Sequence, residues 1–147
     1  RDQPRSRGLG DVYKRQSLSA ILMDDDYYHF TITHSLLQDG VHIANIESLI
    51  CLKCKAFLEM SDRKAKGEQE DSKHIAKHKK DVFRLAAMLA PADRFEVPQT
   101  LLDDVKRFCE MVKSELPNSD FFKSAGLHNI TGEQVLRQLE LSFFIHD

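Results

Sequence analysis

The chain has 147 residues, of which 41% are hydrophobic and 30% charged, with no tryptophan. That length is one domain's worth, and that balance supports a packed globular core and excludes wholesale disorder. The mean hydropathy of −0.42 and the lack of any apolar run near the ~18 residues of a membrane helix exclude a helical span, while a net charge of −2 gives no whole-chain case for nucleic-acid binding.

Residues 1–16, RDQPRSRGLGDVYKRQ, carry +3 and leave −5 on the remainder. They are Arg-rich, hold scattered Gly and Pro, and lack periodicity, so they read as loop or disorder. The run resembles translated sequencing-adapter read-through at the ends of assembled environmental sequences. It is therefore expected to be a non-native tail, with the natural polypeptide continuing upstream of Ser17; a flexible basic tail is the alternative. No signal peptide is visible, because the basic stretch leads into no continuous apolar segment. Residues 17–147 are expected to form a single mainly helical domain with at most two short strands.

Ser17–Met23 (SLSAILM) suits an edge strand or the lead into a helix. Asp24, Asp25 and Asp26 precede YYHF and complement the dipole of a helix start. Gln38-Asp39-Gly40 marks a turn, and Val41-His42-Ile43 a brief strand. The first long helix is expected from Asn45 or Glu47 to Lys66, ended by Gly67. Asp71 or Ser72 caps the next, whose apolar stripe is Ile75, Val82, Leu85, Ala86 and Leu89, and Pro91 stops it. Val97-Pro98 opens a third helix, with Leu101, Leu102, Val105, Phe108, Cys109 and Val112 facing inward. Phe121, Phe122 and Leu127 form a short helix or hydrophobic clamp. Thr131 starts the last helix with a capping box to Gln134, and its inner face is Val135, Leu139, Ser142 and Phe143.

Within the first helix, Leu49, Lys53, Ala56 and Met60 recur at helical spacing and share one face. A lysine in that stripe must snorkel to water, pair with a carboxylate, for which Asp81 is the leading candidate, or face a phosphate. Lys55 lies about 200° around the helix from Lys53, so the two cannot face one site. His74, His78 and Asp81 share a face at spacings of four and three, yet Lys73, Lys77, Lys79 and Lys80 oppose a bound cation there. The stretch KHIAKHKK reads as a basic helical face that is solvated or meets nucleotide phosphate or RNA backbone. Asp81 has Lys77, Arg84 and Lys53 as candidates to orient. Cys51 and Cys54 form a CxxC inside a helical pattern with no second ligand pair, so they and Cys109 read as reduced, partly buried thiols of a cytoplasmic protein rather than a redox or zinc site.

Three stretches together, SLSAILMDDDYYHF, LICLKCKAFLEMSDRKAKGEQEDSKHIAKHKKDVFRLAAML and the helix after VPQT, resemble the C-terminal helical part of the AbiEii/AbiGii-type nucleotidyltransferase-like family. The resemblance covers about residues 17–116. It implies an α/β parent protein whose lysine in a K-x-x-A helix, here Lys53–Ala56, helps bind a nucleoside triphosphate with Mg²⁺. A basic-Asp pair on the next helix, here Lys80-Asp81, would complete that cofactor-binding set. It also implies nucleotide transfer to a protein or RNA acceptor, and some members act as toxins paired with an antitoxin. The family's Gly-Ser turn and Asp-x-Asp strand have no counterpart here, and Asp24–Asp26 falls after the stretch that should follow the catalytic strand. The catalytic half is therefore expected upstream. The chain alone is expected to be inactive, with no catalytic residue, metal or nucleotide of its own. Two other readings stand beside this one. A non-enzymatic helical interaction module, such as an antitoxin-like partner, predicts a fully exposed Lys53 and no cleft beside Asp81. A basic-helix RNA-binding module predicts a continuous patch from Lys73, Lys77 and Lys80 towards Lys64 or Lys66.

Overall fold

The computed structural model describes residues 26, 27, 30, 35–38 and 41–145, the strands by backbone alone. The expectations for residues 1–16, for Ser17–Met23, for Asp24 and Asp25, and for the turn at Asp39-Gly40 lie outside the described residues. Within them the protein is mainly α-helical. Two strands, β1 (Ser35–Gln38) and β2 (Val41–Ala44), pair antiparallel with Gln38 opposite Val41 and Ser35 opposite Ala44. Five helices follow: α1 (Ile46–Ala65), α2 (Ser72–Ala86), α3 (Gln99–Val112), α4 (Ser119–Ser124) and α5 (Gly132–Phe143).

The helix ends follow from local chemistry. Asp71 caps α2 by accepting a hydrogen bond from the Lys73 backbone N–H at 2.8 Å. Asn118 caps α4 through the Phe121 N–H at 3.0 Å. Thr131 and Gln134 form the reciprocal capping box at the start of α5, so two otherwise orphaned donors are satisfied. After α1 the chain turns through Gly67 at φ +88°, a left-handed conformation that favours a residue without Cβ. Pro98 stands immediately before α3, where its missing N–H costs nothing.

α1 is the central helix. It packs on α2 along one side and on α3 along another, while α5 closes over α2 and α3. The single stripe read from the sequence understates this. Ala56 and Met60 are buried, but so are Ile50, Cys51, Cys54 and Leu58, and Leu49 and Lys53 lie at the half-exposed edge. The reason is that α1 has two helical neighbours, so its apolar surface spans far more than one face. Phe108 of α3 is the hub. Its ring meets Phe57 edge-on, with centroids 5.2 Å apart, and lies 6.1 Å from Phe83 of α2. α5 is tied down by the Phe95 N–H, which donates to the Ser142 carbonyl at 2.8 Å, and by the Gln138 amide on the Ala90 carbonyl at 3.0 Å.

Candidate functional site

Lys53 leaves α1 towards α2, and its Nζ lies 2.9 Å from Oδ2 of Asp81. The lysine side chain is 27% exposed and the aspartate 16% exposed. Of the three fates open to Lys53 in the sequence, the structure realises the ion pair. The carboxylate is not shared between two groups alone. Lys77, one turn earlier on α2, places its Nζ 2.9 Å from the same Oδ2, and Arg84 donates to Oδ1 at 3.2 Å. Asp81 therefore collects all three cations that the sequence offered it. Burial opposes its ionisation, yet the hydrogen bonds from Lys77 and Lys53, with their charges, hold its carboxyl below the usual carboxylate range. Three cations around one anion leave the cluster with a surplus of positive charge.

His78 of α2, within reach of the Lys53 charge, is 4% exposed and its Nδ1 is buried without a hydrogen-bond partner. Burial, reinforced by the Lys53 charge, lowers its pKa to about 4, so the ring is neutral at pH 7. His74 sits one turn earlier, its Nδ1 also buried and unpartnered and its Nε2 4.0 Å from Asp71. Among the described residues no group of three His, Cys, Asp or Glu side chains is arranged to hold a metal ion. Asp81, already surrounded by Lys53, Lys77 and Arg84, does not suit Mg²⁺ as a ligand, because the same cations that neutralise it repel a second positive charge.

The other residues that the sequence nominated lie apart from it. Lys80 is exposed and lines a different depression, beside Lys79 and the 115–118 connection, whose lining includes neither Lys53 nor Asp81. Lys55 points to α3, 3.6 Å from Asp104 and 3.8 Å from Glu59, as its angular offset from Lys53 requires. Of the basic patch, Lys77 is committed to Asp81 and Lys64 hydrogen-bonds the Ser72 hydroxyl, while Lys73 and Lys80 are exposed. Lys77 and Arg84 belong to the cluster although the resemblance did not nominate them; their spacing of four before and three after Asp81 is the signal that exposes them.

Compared with protein-family models, curated proteins and solved structures, the chain has no significant match in any of the three. The case for any function therefore rests on the residues themselves. No helix among the described residues is long and apolar enough to cross a membrane. Cys51, Cys54 and Cys109 are all buried and unpaired. Burial pushes the Cys109 thiol up to about 12 and raises Cys51 and Cys54 as well, which makes them inert packing groups rather than nucleophiles.

Proposed function

We propose that the chain is the helical, nucleotide-binding portion of a magnesium-dependent nucleotidyltransferase-like protein, inactive on its own. The observation that carries this reading is the Asp81 cluster. Lys53 stands at the half-exposed edge of α1, and Asp81 holds it at 2.9 Å alongside Lys77 and Arg84. Ammonium and guanidinium groups, held by one carboxylate that only partly neutralises them, suit the triphosphate of a nucleoside triphosphate. In this reading Lys53 steadies phosphate charge, Asp81 positions it, and Lys77 and Arg84 add charge at the rim. Lys80 stands outside the phosphate set. The Mg²⁺ seat and the paired acids of the transfer step belong to an upstream catalytic half, together with the acceptor, a protein or an RNA. A simple interaction module has two marks, a fully exposed lysine and no cleft beside Asp81, and on the first the partly covered, paired Lys53 favours this reading instead. The three unpaired thiols support a cytoplasmic setting.

The test is equilibrium binding of a nucleoside triphosphate with Mg²⁺ to the polypeptide extended upstream by its genomic reading frame. Lys53→Ala and Asp81→Ala should each weaken binding about tenfold, equivalent to about 1.4 kcal/mol, with Lys53→Arg largely sparing it. Equal affinity across wild type and both alanine variants overturns the assigned roles. Magnesium-dependent nucleotide transfer by the present chain alone overturns its assignment as an inactive portion.

A further inference from the structure

Beside α2 lies a cleft of about 330 Å³ whose lining includes none of Lys53, Lys77 or Asp81. Its walls are α2, through Ala76, Lys79 and Lys80, the 115–118 connection that joins α3 to α4, and Phe121 of α4. The volume is at the lower end of small-molecule sites, about 300–1,000 Å³. Leu116, Pro117 and Phe121 give the lining its apolar part and Lys79 and Lys80 its cationic part, with Glu115 and Asn118 completing it.

Three features make this a preformed site rather than a chance dimple. Lys79 is held in place because its ammonium donates to the Glu115 carbonyl across the mouth, which leaves two further N–H donors. The far wall is pinned from behind. Gly132, at the start of α5, is packed so closely that a Cβ there would lie 2.5 Å from the Pro117 carbonyl oxygen and 2.9 Å from the Leu116 Cβ. Phe121 is fixed too, with Phe122 edge-on at 5.1 Å and the Arg84 guanidinium 4.9 Å from its ring centre. Arg84, paired with Asp81, adds a third cationic side chain near Lys79 and Lys80. Lys80 makes no ion pair among the described residues, so its charge is available to a ligand.

We propose that this cleft binds a small organic anion with a flat apolar body, an aryl phosphate or aryl carboxylate. The ring lies on Leu116, Pro117 and Phe121, and the anionic group meets Lys80 and the free donors of Lys79. The shape and apolar lining select the body, and the lysines select the charge. Neither half suffices alone, because exposed ammonium–anion contacts are weak in water and the apolar lining is small. The lining includes none of Lys53, Lys77 or Asp81, and Arg84, bonded to Asp81 and laid over Phe121, stands between the two places.

The experiment is a titration of the present chain with 1-naphthyl phosphate, followed by amide chemical shifts. Inorganic phosphate and 1-naphthol serve as half-ligands. Binding should shift Leu116, Asn118 and Phe121, and each half-ligand should bind at least tenfold more weakly. Lys80→Glu should weaken binding tenfold or more, and Ala76→Trp, which fills the cleft from an exposed helical position, should abolish it. Lys53→Ala should leave it unchanged. Shifts confined to Lys53, Lys77 and Asp81 overturn the proposal, as does naphthyl phosphate binding no tighter than phosphate, or equal binding by Lys80→Glu and Ala76→Trp variants whose circular dichroism matches wild type.

Discussion

At the residue scale Asp81 and His78, neighbours on α2, both titrate below their ordinary values. Asp81 ionises at lower pH in the fold than in the unfolded chain. Its contribution to stability is therefore complete above the unfolded value, about pH 4, and is lost as pH falls through the folded one. Asp81→Asn should cost about 1–2 kcal/mol at pH 7, between an exposed pair and a fully buried one, and the gap should narrow in acid because the wild-type carboxyl is then protonated as well. Urea midpoints across pH measure this. His78 works in the other window. Its folded pKa, about 4, lies below the unfolded value of about 6.5. The unfolded chain thus binds the extra proton first, and stability falls as pH drops from about 6.5 to about 4, by roughly 3 kcal/mol. Burial and the Lys53, Lys77 and His74 charges oppose protonation of His78, and Asp81 favours it. His78→Leu should flatten the slope between pH 6.5 and 4; an unchanged slope would assign it to other groups.

At the element scale the start of α5 shows how packing overrides propensity. Gly132→Ala ought to help a helix by about 1 kcal/mol. Here the new Cβ meets a backbone carbonyl oxygen at 2.5 Å, so the loop must move, and a net loss of about 1–3 kcal/mol is expected by thermal melting. Thr131→Ala should lose about 1 kcal/mol by removing the capping box. That box was legible in the sequence, as were the Asp71 cap, the stop at Gly67, the strand at Val41, the short helix at Phe121-Phe122 and the inward stripe of α3, because each depends on residues within one or two turns. The second buried face of α1 was not, since a periodic stripe shows one neighbour and Cys51, Cys54 and Leu58 are buried by another. The pairing of Lys53 with Asp81 was readable as a candidate from its chemistry. The cleft beside Lys80 was not, because it forms only where α2 meets the 115–118 connection, and Lys79 and Glu115, which bridge it, stand 36 positions apart in the chain.

At the scale of the whole molecule, one core couples the helices, with Phe108 at its centre. The three thiols report on that core. Cys51 and Cys54 are fully covered and Cys109 is 2% exposed. A thiol reagent should therefore label all three slowly and in step with global unfolding, accelerating together in urea; rapid labelling of Cys109 alone would mean that α3 opens separately. The early segment is stitched to the same body. The Tyr27 hydroxyl donates to Asp104 at 2.8 Å, and Tyr27 is itself 1% exposed. Tyr27→Phe should lower stability by about 1 kcal/mol. Arg84, finally, belongs to two neighbourhoods at once, with its guanidinium bonded to Asp81 and laid over Phe121. An anion that draws this arginine away from Asp81 leaves the carboxylate with two donors and bares one side of the phenyl ring. Traffic at either end of that side chain is consequently felt at the other, and one swing of a single arginine suffices to carry the message across α2.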